Sequence, residues 1–133
     1  MQFKSITPES LAASGSEFAH QSALFCWCAL SVGKYPELEL LFHIPNGGYR
    51  GKAEAGRFKA AGVKAGVWDL FLPVARGGYH GLFVEMKKLG EKIIPGSKQD
   101  KFGKGVNAQN YATCVCDSWT LAKARIENYL NLK

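Results

Sequence analysis

A chain of 133 residues, 47% hydrophobic and 21% charged, has the size and composition of one globular domain that can bury a core without disulfides or structural metals. Its net charge of +6 and pI of about 9.2 favour an anionic partner, nucleic acid being the commonest. MQFKSITPES has no long apolar core, and no apolar run approaches the roughly 18 residues of a membrane helix; the expectation is a cytoplasmic protein with no signal peptide and no membrane partner.

Residues 1–15 read as irregular. From Ser16, a plausible N-cap, SEFAHQSALFCWCALSVG predicts a helix with apolar faces from Ala19, Ala23, Phe25, Trp27 and Leu30, ended by Gly33 and Pro36. LELLFHIPN (38–46) predicts a strand, stopped by Pro45-Asn46-Gly47-Gly48. GKAEAGRFKAAG (51–62) predicts a short basic helix closing on Gly62. WDLFLPVA and YHGLFVEMKKL, with Arg76-Gly77-Gly78 between them, predict a hairpin. Residues 97–110 predict a helix interrupted by Gly103 and Gly105, ATCVCDSW (112–119) a strand, and SWTLAKARIENYLNLK (118–133) an amphipathic helix. The order α, β, α, β, β, α, β, α is that of an α/β layered sheet, and with no repeat or linker residues 1–133 read as a single domain.

The cysteines form two C-x-C pairs, Cys26 with Cys28 and Cys114 with Cys116. Zinc ligands are usually spaced C-x(2–4)-C, so the expectation is four buried free thiols rather than a metal site.

Asp69, Glu85 and Lys87 are the unusual residues, because they lie where two strands should be packing a core. Taken singly, each has an ordinary explanation: an acid at a strand start faces solvent, and E-x-K on a strand forms a surface ion pair. Jointly they point elsewhere. Asp69 opens one strand of the hairpin and Glu85 closes the other, so the two carboxylates can converge. Like charges held close repel unless a cation lies between them. Mg²⁺ suits one or two carboxylates together with phosphate oxygens and water. A lysine on the same face could contact the phosphate or position a water, which is the equipment of metal-assisted phosphodiester hydrolysis.

G-V-x-D, a hairpin length and then E-x-K resembles the PD-(D/E)xK nucleases, with Trp68 standing where a proline commonly precedes the acid. HIPNGGYR (43–50), RFKAAGVKAGVWDLFLP (57–73), GGYHGLFVEMK (77–87) and a downstream Gln99 narrow the likeness: the sequence resembles the VRR-NUC family, known chiefly from phage and bacterial stand-alone proteins and from the nuclease domain of a eukaryotic DNA-repair enzyme. The resemblance covers most of the chain from Glu17 to about residue 130. It implies a restriction-endonuclease-like core, a central mixed β-sheet flanked by helices. It also implies an Mg²⁺- or Mn²⁺-dependent endodeoxyribonuclease, with the metal held by Glu17, Asp69, Glu85 and the Met86 carbonyl. Lys87 would orient the nucleophile and Gln99 would support the site by hydrogen bonding. The run before Gln99 is S-K-Q, where the family more often has S-x-x-Q. On the residues alone, Glu17 is an acid in the first turn of a helix and needs no other purpose.

Read alone, His43 and Asn46 flank Pro45 at a turn; the resemblance makes HIPN a place for substrate contact. His20 and His80 read as structural. Arg50, Lys52, Arg57, Lys59 and Lys64 form one basic stretch, and Lys92, Lys98, Lys101 and Lys104 another. Beside a phosphodiester-cleaving site they can neutralise DNA phosphates, and Arg50, Lys52, Arg57 and Lys64 are the candidate substrate contacts. No base-reading motif is present, so recognition of shape, as of a branched Holliday-type junction, fits better than recognition of sequence. A junction has two strands to cut and one small domain carries one site, so a two-fold homodimer is expected. Two alternatives stand beside this reading: a nucleic-acid-binding module without catalysis, and a sequence-dependent, restriction-like endonuclease.

Overall fold

The computed structural model describes residues 5–46 and 51–133. The first element among the described residues is a short helix, α1 (Pro8–Ala12), where the sequence reads as irregular. Thr7 and Ser10 cap it reciprocally, each side chain bonding the other's backbone, and Pro8 supplies a fixed φ at the first helical position. α2 (Glu17–Ser31) starts where predicted, with the Ser16 hydroxyl accepting from the Ala19 amide.

The predicted strand over 38–46 is largely replaced. Pro36–Leu40 form a 3₁₀ turn, and only Phe42–His43 are extended, as β1. Leu38 and Leu41 are buried while Leu40 and Phe42 are exposed; a spacing of three suits the 3₁₀ turn, and over the five residues LELLF it is hard to tell from strand alternation. α3 (Lys52–Ala60) is the predicted basic helix. β2 (Leu70–Leu72) and β3 (Leu82–Met86) are the predicted antiparallel hairpin, shortened because Pro73 removes an amide from the ladder. Arg76 and Tyr79 bond each other across the hairpin's tip, with Gly77 and Gly78 both at positive φ (56° and 85°), the backbone that a two-residue turn needs to match strand twist. α4 (Lys98–Ala108), β4 (Ala112–Cys116) and α5 (Trp119–Leu130) follow as predicted, and Ser97 and Ser118 cap the two helices.

The sheet is mixed, in the order β1-β2-β3-β4, with β4 parallel to β3 and the other neighbours antiparallel. Its two faces differ. Leu70, Leu72, Leu82, Val84 and Met86 point one way, into a core shared with Leu24 and Trp27 of α2 and Ile126 and Tyr129 of α5. The alternate residues point the other way. There Phe71 and Phe83 stack at 4.4 Å, and Phe102 of α4 meets Phe83 edge-on at 5.2 Å. Glu85 has the parity of Phe83 and so lies on this second face, under α4. The four cysteines are free; Cys28 and Cys116 are buried, the other two partly so. His20 is structural, its Nδ1 accepting from the Trp119 amide at the start of α5. No helix among the described residues is long and apolar enough to cross a membrane.

Candidate active site

Strand pairing brings the acids together. One step beyond the Leu70–Val84 pair, the register sets Asp69 opposite Glu85. Each carboxylate then takes a backbone amide of the other strand: the Asp69 amide donates to Glu85 Oε1 (3.1 Å) and the Met86 amide to Asp69 Oδ2 (3.0 Å). Asp69 is also held from the β1 side. Its carbonyl accepts the Ile44 amide (2.6 Å) and His43 Nδ1 (2.9 Å). A carbonyl only accepts, so Nδ1 carries a proton, which in the neutral tautomer leaves Nε2 as the acceptor.

Glu85 is 2% exposed and Lys87 9%. Burial, then the Asp69 charge, then a hydrogen bond shared with the Asp69 carboxyl push the Glu85 carboxyl up to about 8. The Lys87 ammonium lies 3.7 Å from Glu85 Oε2 and 3.6 Å from Glu91 Oε1, and it donates to Gln99 Oε1 at 2.7 Å. The same Gln99 amide donates to Glu85 Oε2 at 2.5 Å. Gln99 therefore bridges the acid and the lysine of E-x-K from the helix above them. Glu17 and Asp69 line one cavity of about 220 Å³ with Phe18, Gln21, His43 and Pro45. Partial burial and the Asp69 charge raise the Glu17 carboxyl, while Lys87 opposes that rise. Among the described residues no three His, Cys, Asp or Glu side chains already stand close enough to form a ready-made metal cage. The donor chemistry still suits a hard divalent cation: a buried Glu85 whose carboxyl is pushed up by burial and by the Asp69 charge, Asp69 beside it, a third acid across the cavity, and oxygen ligands throughout.

Trp68, in the place of the family's proline, has a structural task. It is buried, and its indole N–H donates to the Gln99 carbonyl at 2.9 Å, pinning the first turn of α4 beside the acids. Tight contacts fix the same joint: a Cβ on Gly103 would stand 2.5 Å from Trp68 Cζ2, and one on Gly66 2.6 Å from the Lys98 carbonyl carbon. Gly103→Ala is therefore expected to lower stability by about 1–3 kcal/mol through overpacking, measured by urea unfolding. A gain, as helix propensity alone would give, would show that Trp68 can move aside.

The remaining predicted residues divide. Asn46 Nδ2 donates to the Lys64 carbonyl, tying the HIPN segment to the chain just before Gly66-Val67-Trp68-Asp69. Asn46 and Lys64 line a cleft of about 580 Å³ with Lys59 and Lys98. Lys98 also lines a second cleft, of about 620 Å³, that reaches Lys87 and Gln99. Lys52 and Arg57 are exposed on α3 but line neither cleft. Arg50 lies outside the described residues. Site neighbours absent from the sequence reading are Phe18, Gln21 and Glu91. Their signals are weak: Gln21 comes one helical turn after Glu17, and Glu91 follows Lys87 by four residues.

A mixed four-stranded sheet between helices, with an acid and an E-x-K pair clamped across its central hairpin, defines a nuclease-like α/β domain of the restriction-endonuclease-like class. No family model matches the sequence, and no curated protein does. Among solved structures the chain is similar to a "VRR_NUC domain protein", at 27% identity and a TM-score of 0.68, over 98% of this chain and 93% of that one. In fold and over nearly its whole length, the chain is thus similar to a VRR-NUC domain.

Proposed function

We propose that this chain is a divalent-metal-dependent DNA endonuclease that recognises branched DNA by shape. The observation that carries the reading is the clamp of Asp69 and Glu85 across the hairpin, with a buried Lys87 joined to Glu85 through Gln99. A pure DNA binder gains nothing from paired acids beside phosphates, which they repel. Glu17, Asp69, Glu85 and the Met86 carbonyl would hold Mg²⁺ or Mn²⁺. The ion supplies Lewis-acid stabilisation of the phosphate and a water of lowered pKa.

The chain's own residues do the rest. Lys87 holds a fixed positive charge beside Glu85, where it can meet a phosphate oxygen or orient the attacking water. Gln99 fixes the rotamers of Lys87 and Glu85 at once. His43 Nε2 is an acceptor at the edge of the cavity that Glu17 and Asp69 share, suited to a water or substrate hydroxyl. Lys59, Lys64 and Lys98 offer charge along the clefts leading to Lys87, where they would neutralise the DNA backbone without reading bases. Cutting both strands of a junction calls for two such sites, so the working form would be a two-fold homodimer.

The test is cleavage of labelled four-way junction, flap, single-stranded and linear duplex DNA in Mg²⁺, Mn²⁺ or EDTA. Metal-dependent cutting that favours branched substrates is the expected result. Cutting at one sequence in linear duplex would point to a restriction-like enzyme, and binding without cutting would leave only a binding module.

A further inference from the structure

The face of α2 that carries Glu17 continues past the acid cavity. Glu17, Gln21 and Phe25 recur at four-residue spacing, with Phe18 and Ser22 alongside, so they share one side of the helix. This side faces Leu41, Phe42 and His43 across a second cavity of about 380 Å³, within the size range of ligand pockets. Gln21 and His43 line both cavities, which makes them one groove.

Two features set this groove apart from the lysine-lined clefts. No lysine or arginine lines it among the described residues, so apart from the cation proposed at Glu17 and Asp69 it offers no positive charge to a phosphate backbone. It also presents aromatic rings to solvent: Phe18 is 80% exposed beside Glu17 and Asp69, and Phe42 is 47% exposed, packed on one side only, edge-on against Phe71 at 5.9 Å. An aromatic ring left bare next to acids has nothing to gain from the protein's own packing. Flat apolar rings with a few polar groups between them, here Gln21, Ser22 and His43 Nε2, match an unstacked nucleobase: the rings take its face and the polar groups its edge.

We propose that this groove binds an unpaired nucleobase flanking the scissile phosphate, with Phe18 and Phe42 as its stacking surfaces. The inference rests on the nuclease reading and sharpens it. The preferred DNA would be one whose strand is already unpaired at the cut, such as a flap, a fork or an opened junction. Continuous duplex would first have to give up a base from its stack.

The test uses the full chain with flap and four-way-junction DNA carrying single 2-aminopurines at successive positions around the branch point, in Ca²⁺. Thermal unfolding of each variant is measured alongside. Wild type should change the emission at one or two adjacent positions. Phe18→Ala removes a ring that is 80% exposed, so it should melt close to wild type and lose that response, and Phe42→Leu should weaken it. Affinity for the flap should fall roughly 5- to 150-fold in Phe18→Ala, the worth of one stacked base, with no matching change for continuous duplex. If no position gives a Phe18-dependent response, or if flap and duplex affinities fall equally, the base pocket is overturned. Cleavage of the same substrates in Mg²⁺ separates the two claims. Metal-dependent cutting without a Phe18-dependent response sinks the pocket alone, whereas a Phe18-dependent response without any cutting sinks the nuclease reading and leaves the base site standing.

Discussion

Asp69→Asn should cut branched DNA at least roughly a thousandfold more slowly than the wild type while folding as well. Asparagine keeps a carbonyl oxygen for the Met86 amide, so the clamp across the hairpin survives. The backbone of residue 69 stays tied to Ile44 and His43 through its carbonyl. What is lost is the charge, and with it a carboxylate proposed to hold the cation in the cavity that Glu17 also lines. Single-turnover cleavage of a labelled junction, with circular dichroism melts of both proteins, measures this. A variant that cuts within tenfold of wild type would remove Asp69 from the chemistry.

The second large effect is on stability. The metal-free protein should be more stable near about pH 5 than near about pH 8, and Glu85→Gln should flatten that difference. Folding raises the Glu85 carboxyl to about 8, chiefly by burial and by the Asp69 charge. The native state therefore holds a proton that the unfolded chain releases in the ordinary carboxylate range. Stability from this group is greatest below that range and falls as the pH climbs through about 8. Glutamine imitates the protonated carboxyl, so the variant should melt above wild type at the alkaline end. Mn²⁺ should reverse the order. By binding the native state it stabilises wild type near about pH 8, and it should do much less for the variant. Melting curves at several pH values, with and without Mn²⁺, test this. Equal slopes for wild type and Glu85→Gln would mean that the buried acid is not the group that titrates. Such a stability cost without metal is what the proposed metal site would show if its ligands are held together in advance.

The hairpin and its acids were legible because they rest on local rules. Two glycines mark the turn, strand parity puts residues two apart on one face, and register sets position 69 against position 85. Gln99 is implied by the resemblance alone, and the structure supplies the reason for its placement: the indole of Trp68 holds the first turn of α4 over the strands. No periodicity reveals a contact between residues 31 positions apart in sequence. The short helix at Pro8 was missed although Thr7, Pro8 and Ser10 spell a cap, because five residues carry little apolar period. The strand before Asn46 was overread because a 3₁₀ turn and a strand both suit a short run of leucines. Phe18 drew no notice because an exposed aromatic on an amphipathic helix has no sequence signature apart from its neighbours. Only the cavity shared with Glu17 and Asp69 makes it significant. Lys52 and Arg57 drew notice by charge alone, and α3 presents them outside the lysine-lined clefts.

The central claim is that Asp69, Glu85 and Lys87 act together on a phosphodiester through a divalent cation. The most direct test is single-turnover cleavage of one labelled four-way junction by wild type, Asp69→Asn and Lys87→Ala, each in Mg²⁺ and in EDTA. Cutting by wild type in Mg²⁺ alone, lost in both variants while they still bind the junction, is the predicted result. Cutting that persists in EDTA, or that survives in either variant, would contradict the account.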